Sequence, residues 1–153
     1  MQTLKFSPED EQVLMGQLWS AQIADNPETF VLFAFPWGQK NTPLEHFKGP
    51  RAWQRRTLRK IADHIKANRG QMDMDALRRA VSSGRGIGKS ALVSWLILWM
   101  LTTRIGSSVI VSANSENQLR TVTWGELTKW ATMAINSHEL GSHRLPSSCR
   151  RSG

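Results

Sequence analysis

Ser83-Gly84-Arg85-Gly86-Ile87-Gly88-Lys89-Ser90, with Ala80-Val81-Ser82 before it and the apolar run from Ala91 to Thr103 after it, is the stretch on which the fold turns. It fits the phosphate-binding pattern G-x-x-x-x-G-K-[ST] at every defined place but the first, where Ser83 replaces glycine. Small residues at Gly84, Gly86 and Gly88 let the backbone curl until several N–H groups face one anion. Lys89 supplies a mobile cation for the β- and γ-phosphates, and the Ser90 hydroxyl suits Mg²⁺. A helix beginning near Gly88 adds the positive end of its dipole at the same place.

Working outward, Ala80-Val81-Ser82 reads as a short buried strand. Leu92, Trp95, Leu96 and Trp99 recur at helical steps after the loop. Val93, Ile97 and Leu98 make the other side of that helix apolar too, which predicts enclosure on most faces. Ser108-Val109-Ile110-Val111-Ser112, bounded by Gly106 and Asn114, reads as a second strand. Strand, loop, helix and strand make a βαβ unit, so the expected fold class is α/β: a partial P-loop NTPase with a βαβ core and flanking helices. Against this stands a glycine-rich turn that binds nothing. Loop, lysine, hydroxyl and flanking elements together favour the phosphate reading.

Before the loop, Ser7-Pro8-Glu9-Asp10 is a helix start: a hydroxyl cap, a proline in the first position and acids in the first turn. The helix is expected to run to about Ala24 and to break at Asn26-Pro27. Thr29 to Phe35 is a dense apolar run, a buried strand or a short helix, since periodicity does not separate the two. Gly38 to Pro50 reads as loop. Arg51, Arg55, Arg56, Arg59, Lys60, Lys66 and Arg69 fall on one helix with an apolar stripe of Trp53, Leu58, Ile61 and Ile65, ended at Gly70. Asp73 and Asp75 form a short acidic link. Beyond Asn114 to Asn117 a helix to about Ile135 carries Leu119, Val122, Leu127, Trp130, Ala131 and Ala134. The chain from 141 to 153 has one leucine and no acid, and is expected to be a disordered C-terminal tail. The division is therefore an N-terminal helical and apolar segment over 1–48, the partial ATPase domain over 49–140, and the tail.

With 153 residues the chain is long enough for one compact domain. Its net charge of +8 favours polyanionic partners. Seven tryptophans and no tyrosine are scattered along the chain and read as packing residues, not a base-stacking platform. The single cysteine, Cys149, excludes an internal disulfide framework and fits a reducing cytosol. No signal peptide is visible. The apolar stretch within Ala91 to Leu101 is well short of the ~20 residues that span a bilayer, so no membrane partner is expected.

The loop, the upstream arginine helix and the downstream strand together resemble the N-terminal ATPase region of the large terminase subunit of tailed bacteriophages and prophages, a DNA-packaging motor and endonuclease. The resemblance covers about Phe30 to His138. Pro50-Arg51-Ala52-Trp53-Gln54-Arg55-Arg56 is similar to the segment whose glutamine recognises adenine, which implies that role for Gln54. Ser83 to Ser90 is similar to the terminase form of the phosphate loop, which often lacks the first glycine and carries an arginine at the place of Arg85. It implies that Arg85 touches the γ-phosphate and acts in catalysis with Lys89. ATP and Mg²⁺ are the implied cofactors, with Ser90 on the metal and Ser83, Gly84, Arg85, Gly86, Ile87, Gly88, Lys89 and Ser90 around the phosphates. Val109 to Asn114, with Gln118, resembles the strand and helix that couple nucleotide to DNA movement.

The implied partners are double-stranded DNA, the small terminase subunit and the portal or capsid, with a possible homo-oligomer, in the bacterial cytoplasm. Two of the family's features are missing from the chain. No apolar strand ends in Asp-Glu, since Ser108 to Ser112 leads into Ala113-Asn114, and the carboxylate cluster of the nuclease is absent. The chain thus reads as a truncated prophage remnant with nucleotide binding at most. Two alternatives stay open: a small basic protein with a relic loop, binding nucleic acid or terminase through its arginine helix, or a fragment of a helicase-like P-loop NTPase.

Overall fold

A computed structural model describes residues 7–71, 76–82, 86 and 88–137. Helix α1 (Pro8–Leu18) begins as its sequence predicts. The Asp10 N–H donates to Ser7 Oγ at 3.2 Å and the Ser7 N–H donates to the Asp10 carboxylate at 3.3 Å, a reciprocal cap that satisfies two orphan donors. The helix does not reach Ala24: Ser20 is extended and starts a separate turn, α2 (Ala21–Ala24).

The ambiguous run after it is a helix, α3 (Pro27–Ala34). Asn26-Pro27, which breaks the preceding turn, also starts the next. The Asn26 side chain accepts from the N–H groups of Glu28 and Thr29 at 3.0 and 3.2 Å, and Pro27 stands where a missing N–H costs nothing. Pro36 then forces Phe35 into extended backbone and ends it.

The two largest helices are α4 (Ala52–Ala67) and α5 (Lys89–Thr103). Helix α5 is the centre of the molecule, touching α2, α3 and a C-terminal helix. Leu92, Trp95, Ile97, Leu98 and Trp99 are all buried in it, but Val93 and Leu101 stay exposed, so the enclosure expected from its all-round apolarity is incomplete. The C-terminal helix comprises α6 (Glu116–Gln118), a π-helical stretch over Leu119–Trp124, and α7 (Gly125–Met133). Phe35, Trp37, Trp95 and Trp130 form the aromatic heart of the core, with centroids 4.9 Å apart for Phe35–Trp130 and 5.0 Å for Trp95–Trp130, both edge-to-face. The core takes residues from both ends of the chain, Leu14, Leu18 and Phe30 packing with Leu58, Trp95 and Leu127.

The α/β expectation is overturned, for there is no strand and no sheet among the described residues. Ala80, Val81 and Ser82 are exposed and without regular structure. Residues 108–112 keep the alternation of a strand: Val109 and Val111 pack against the core while Ile110 is 92 % exposed. They make no backbone hydrogen bond to another described segment. A strand exists only as part of a ladder, and here no second described segment supplies the complementary N–H and C=O groups. A βαβ core is therefore not the architecture of this chain, which is a helical assembly around α5. The expected tail over 141–153, Asp73, Asp75 and Cys149 lie outside the described residues.

Candidate functional site

Of the residues that the loop motif singles out, Gly86, Gly88, Lys89 and Ser90 are described, while Ser83, Gly84, Arg85 and Ile87 lie outside the described residues. Gly88 is the N-cap of α5 and adopts the left-handed conformation, φ +89° and ψ +28°. Lys89 and Ser90 are the first two residues of the helix, and no side chain caps its opening turn. Those N–H groups are the donors that an anion at a helix N-terminus uses. The Gly88 carbonyl accepts the first helical bond, from the Leu92 N–H at 3.2 Å.

The structure brings Gln54 to the same place, from a helix 34 residues earlier. Its Nε2 donates to the Gly88 carbonyl at 2.8 Å and its Oε1 accepts the Arg51 N–H at 2.8 Å. The second bond caps α4, since Gln54 is the third residue of that helix and reaches back to the residue before it. The amide is 3 % exposed, so one buried side chain closes the start of α4 and grips the start of α5. A Cβ on Gly88 would lie 2.7 Å from Gln54 Nε2, closer than real Cβ contacts come. Glycine is therefore required there for both its conformation and its missing side chain. Arg51 adds a longer bond, from Nη1 to the Gly86 carbonyl at 3.4 Å.

Gln54 thus stands beside the loop, as its resemblance to the adenine-reading glutamine implies, but its amide is engaged with backbone. Base recognition through it would require release of the Gly88 carbonyl. Sequence reasoning missed Arg51 as a loop contact. The spacing Arg51-x-x-Gln54 signals the cap of α4, in which Gln54 accepts the Arg51 N–H, but nothing in it points to the Arg51 guanidinium on Gly86.

The second charged assembly is on α4. Glu28, 8 % exposed, takes Arg55 Nε on one carboxylate oxygen at 2.7 Å and Arg59 Nε on the other at 2.6 Å. Burial works against the charge on Glu28, but the hydrogen bonds and positive charge of Arg59 and Arg55 outweigh it and hold its carboxyl below the usual carboxylate range. Arg55 and Arg59 of the arginine helix therefore serve to dock α3 on α4. Nothing in the sequence flags Glu28, because its partners are 27 and 31 residues away.

Comparison with known proteins yields no match: no family model fits the chain, and neither a curated protein nor a solved structure matches it. Among the described residues no group of three or more His, Cys, Asp or Glu side chains is placed to hold a metal ion. No helix among them is long and apolar enough to cross a membrane.

Proposed function

We propose that the chain binds a nucleoside triphosphate, ATP with Mg²⁺, at the N-terminus of α5. The observation that carries the reading is the joint placement of Gly88, Lys89 and Ser90, a left-handed glycine followed by lysine and hydroxyl on an opening turn without a side-chain cap. The Gln54 bond to the Gly88 carbonyl fixes the turn from which those N–H groups emerge. Lys89 would neutralise the β- and γ-phosphates, Ser90 would reach the metal, and the loop N–H groups would hold the remaining oxygens. Arg85, in the part of the loop outside the described residues, is the candidate for the γ-phosphate.

Binding is proposed here, and not turnover. Residues 108–112 lead into Ala113-Asn114, and hydrolysis needs a carboxylate that helps hold the metal. The resemblance to a terminase ATPase region supports the same ligand through its loop, and a bacterial cytoplasmic setting goes with it. Double-stranded DNA, a small terminase subunit and a portal or capsid are the partners that reading brings.

Isothermal titration of ATP and Mg²⁺ into the full chain and into Lys89→Ala tests it. A saturable heat in the parent protein, with affinity reduced at least about tenfold in the variant, is the expected result, equivalent to about 1.4 kcal/mol. No heat in the parent, or equal affinity in both proteins, would overturn it.

A further inference from the structure

The run Ser108-Val109-Ile110-Val111-Ser112 has the form of a strand and lacks only a partner. Ser107, Val109 and Val111 are half-buried, while Ser108, Ile110 and Ser112 are exposed, Ile110 at 92 %. Ser108 to Ala113 neither donate a hydrogen bond to any other described residue nor accept one. Water serves those N–H and C=O groups in a single copy, and a second extended segment would serve them equally. Monomeric proteins blunt such an edge with a lysine, a proline or an inward-pointing charge. Residues 107–113 contain no proline and no charge.

The run also reads the same in both directions. Antiparallel pairing about Ile110 sets Ser108 opposite Ser112, Val109 opposite Val111 and Ile110 opposite its own counterpart. Two identical segments can therefore satisfy each other's backbone with inward residues matched to inward residues. The flanking charges favour the same direction. Arg104 before the run and the exposed Glu116 after it are equidistant from Ile110. Antiparallel pairing brings each Arg104 end to the other copy's Glu116 end, whereas parallel pairing sets like charge beside like. We infer that residues 108–112 are a docking edge for a second copy of this chain, joined as a two-stranded antiparallel ribbon on a two-fold axis at Ile110. Such an interface closes after two copies and builds neither a ring nor a fibre. Each copy stays helical, and the ribbon exists only between copies. So short a pairing covers much less than the ~1,000 Å² of a stable interface, so the dimer is weak, with a dissociation constant above about 1 μM. The inference does not depend on nucleotide binding at α5.

Analytical ultracentrifugation of the full chain from about 10 to about 500 μM tests the inference, with a mass expected to rise from that of one chain toward that of two. Ile110→Lys sets two like charges directly opposite and raises the dissociation constant at least about tenfold. The exposed Ile110 side chain leaves the thermal transition of the dilute variant at the parent's value. Val13→Lys, the same kind of change at an exposed position of α1, keeps the dissociation constant within about threefold of the parent. Cross-linking then reads the register in a Cys149→Ser background. Ile110→Cys links to itself, and Ser108→Cys links when mixed with Ser112→Cys. Ser108→Cys alone does not, because its two copies are offset by about 14 Å along the ribbon. A monomer at every concentration would overturn the second copy as occupant. Equal losses in Ile110→Lys and Val13→Lys would overturn the edge in favour of diffuse apolar attraction, and Ser108→Cys linking to itself as readily as to Ser112→Cys would overturn the antiparallel pairing.

Discussion

Replacing Gly88 by alanine puts a methyl group 2.7 Å from Gln54 Nε2 and holds an L-residue at φ +89°. The left-handed conformation alone costs about 1–2 kcal/mol. Displacing the amide breaks its 2.8 Å bond to the Gly88 carbonyl and leaves a buried donor without a partner, a further cost of about 1–3 kcal/mol. The lower entropy of the unfolded alanine chain returns about 0.4–1 kcal/mol. The sum is a net loss of roughly 1–4.5 kcal/mol, read as a shift of the urea midpoint at unchanged slope.

A double-mutant cycle isolates the clasp. With Gln54→Ala in the background, Gly88→Ala meets no amide and retains only its conformational cost, so it is milder there by about 1–3 kcal/mol. Gly16→Ala, inside α1 with nothing within 4 Å of where the new methyl would lie, stabilises by roughly 0.5–1 kcal/mol and serves as the control. Gly88→Ala within about 0.5 kcal/mol of the parent, or an equal cost in both backgrounds, would refute the clasp.

Gln54→Ala is expected to weaken ATP and GTP alike, because the side chain shapes the loop; a loss confined to ATP in paired titrations would show that it reads the base. Glu28 contributes its stability fully above the ordinary carboxylate value near 4.5 and loses it as pH falls through its lower folded value. Glu28→Gln therefore lowers the melting temperature at neutral pH and flattens its decline below pH 4.5, which thermal melts across an acid series would measure. Trp130 donates from Nε1 to Glu126 at 2.8 Å, whereas the buried Trp95 Nε1 has no partner among the described residues. Trp130→Phe is accordingly costlier than Trp95→Phe by about 1 kcal/mol in denaturant unfolding.

Helices were legible where local chemistry sets them. Ser7 with Asp10 starts α1, the apolar residues of α5 enclose it, and the stripe of Leu58, Ile61 and Ile65 turns α4 inward. Thr29 to Phe35 was undecided by periodicity and was settled by Asn26, whose side chain satisfies the first N–H groups of α3. The strands were misread for a general reason. Alternation at Val109, Ile110 and Val111 records which side chains turn inward, but a ladder depends on a partner segment that the run itself does not specify. The opening of α5 at Gly88, Lys89 and Ser90 was legible from the motif. The Gln54 grip on Gly88 and the Glu28 clamp were not, because both join residues that only the packing of helices brings together.

Amide chemical-shift mapping of the full chain during titration with ATP and Mg²⁺ tests the central claim most directly. Nucleotide binding at the start of α5 predicts saturable shifts concentrated at Gly86, Gly88, Lys89 and Ser90, with a smaller response at Gln54 through its bond to Gly88. Shifts confined to Arg56 and Lys60 on the outer flank of α4, with the start of α5 unmoved at saturation, would contradict it.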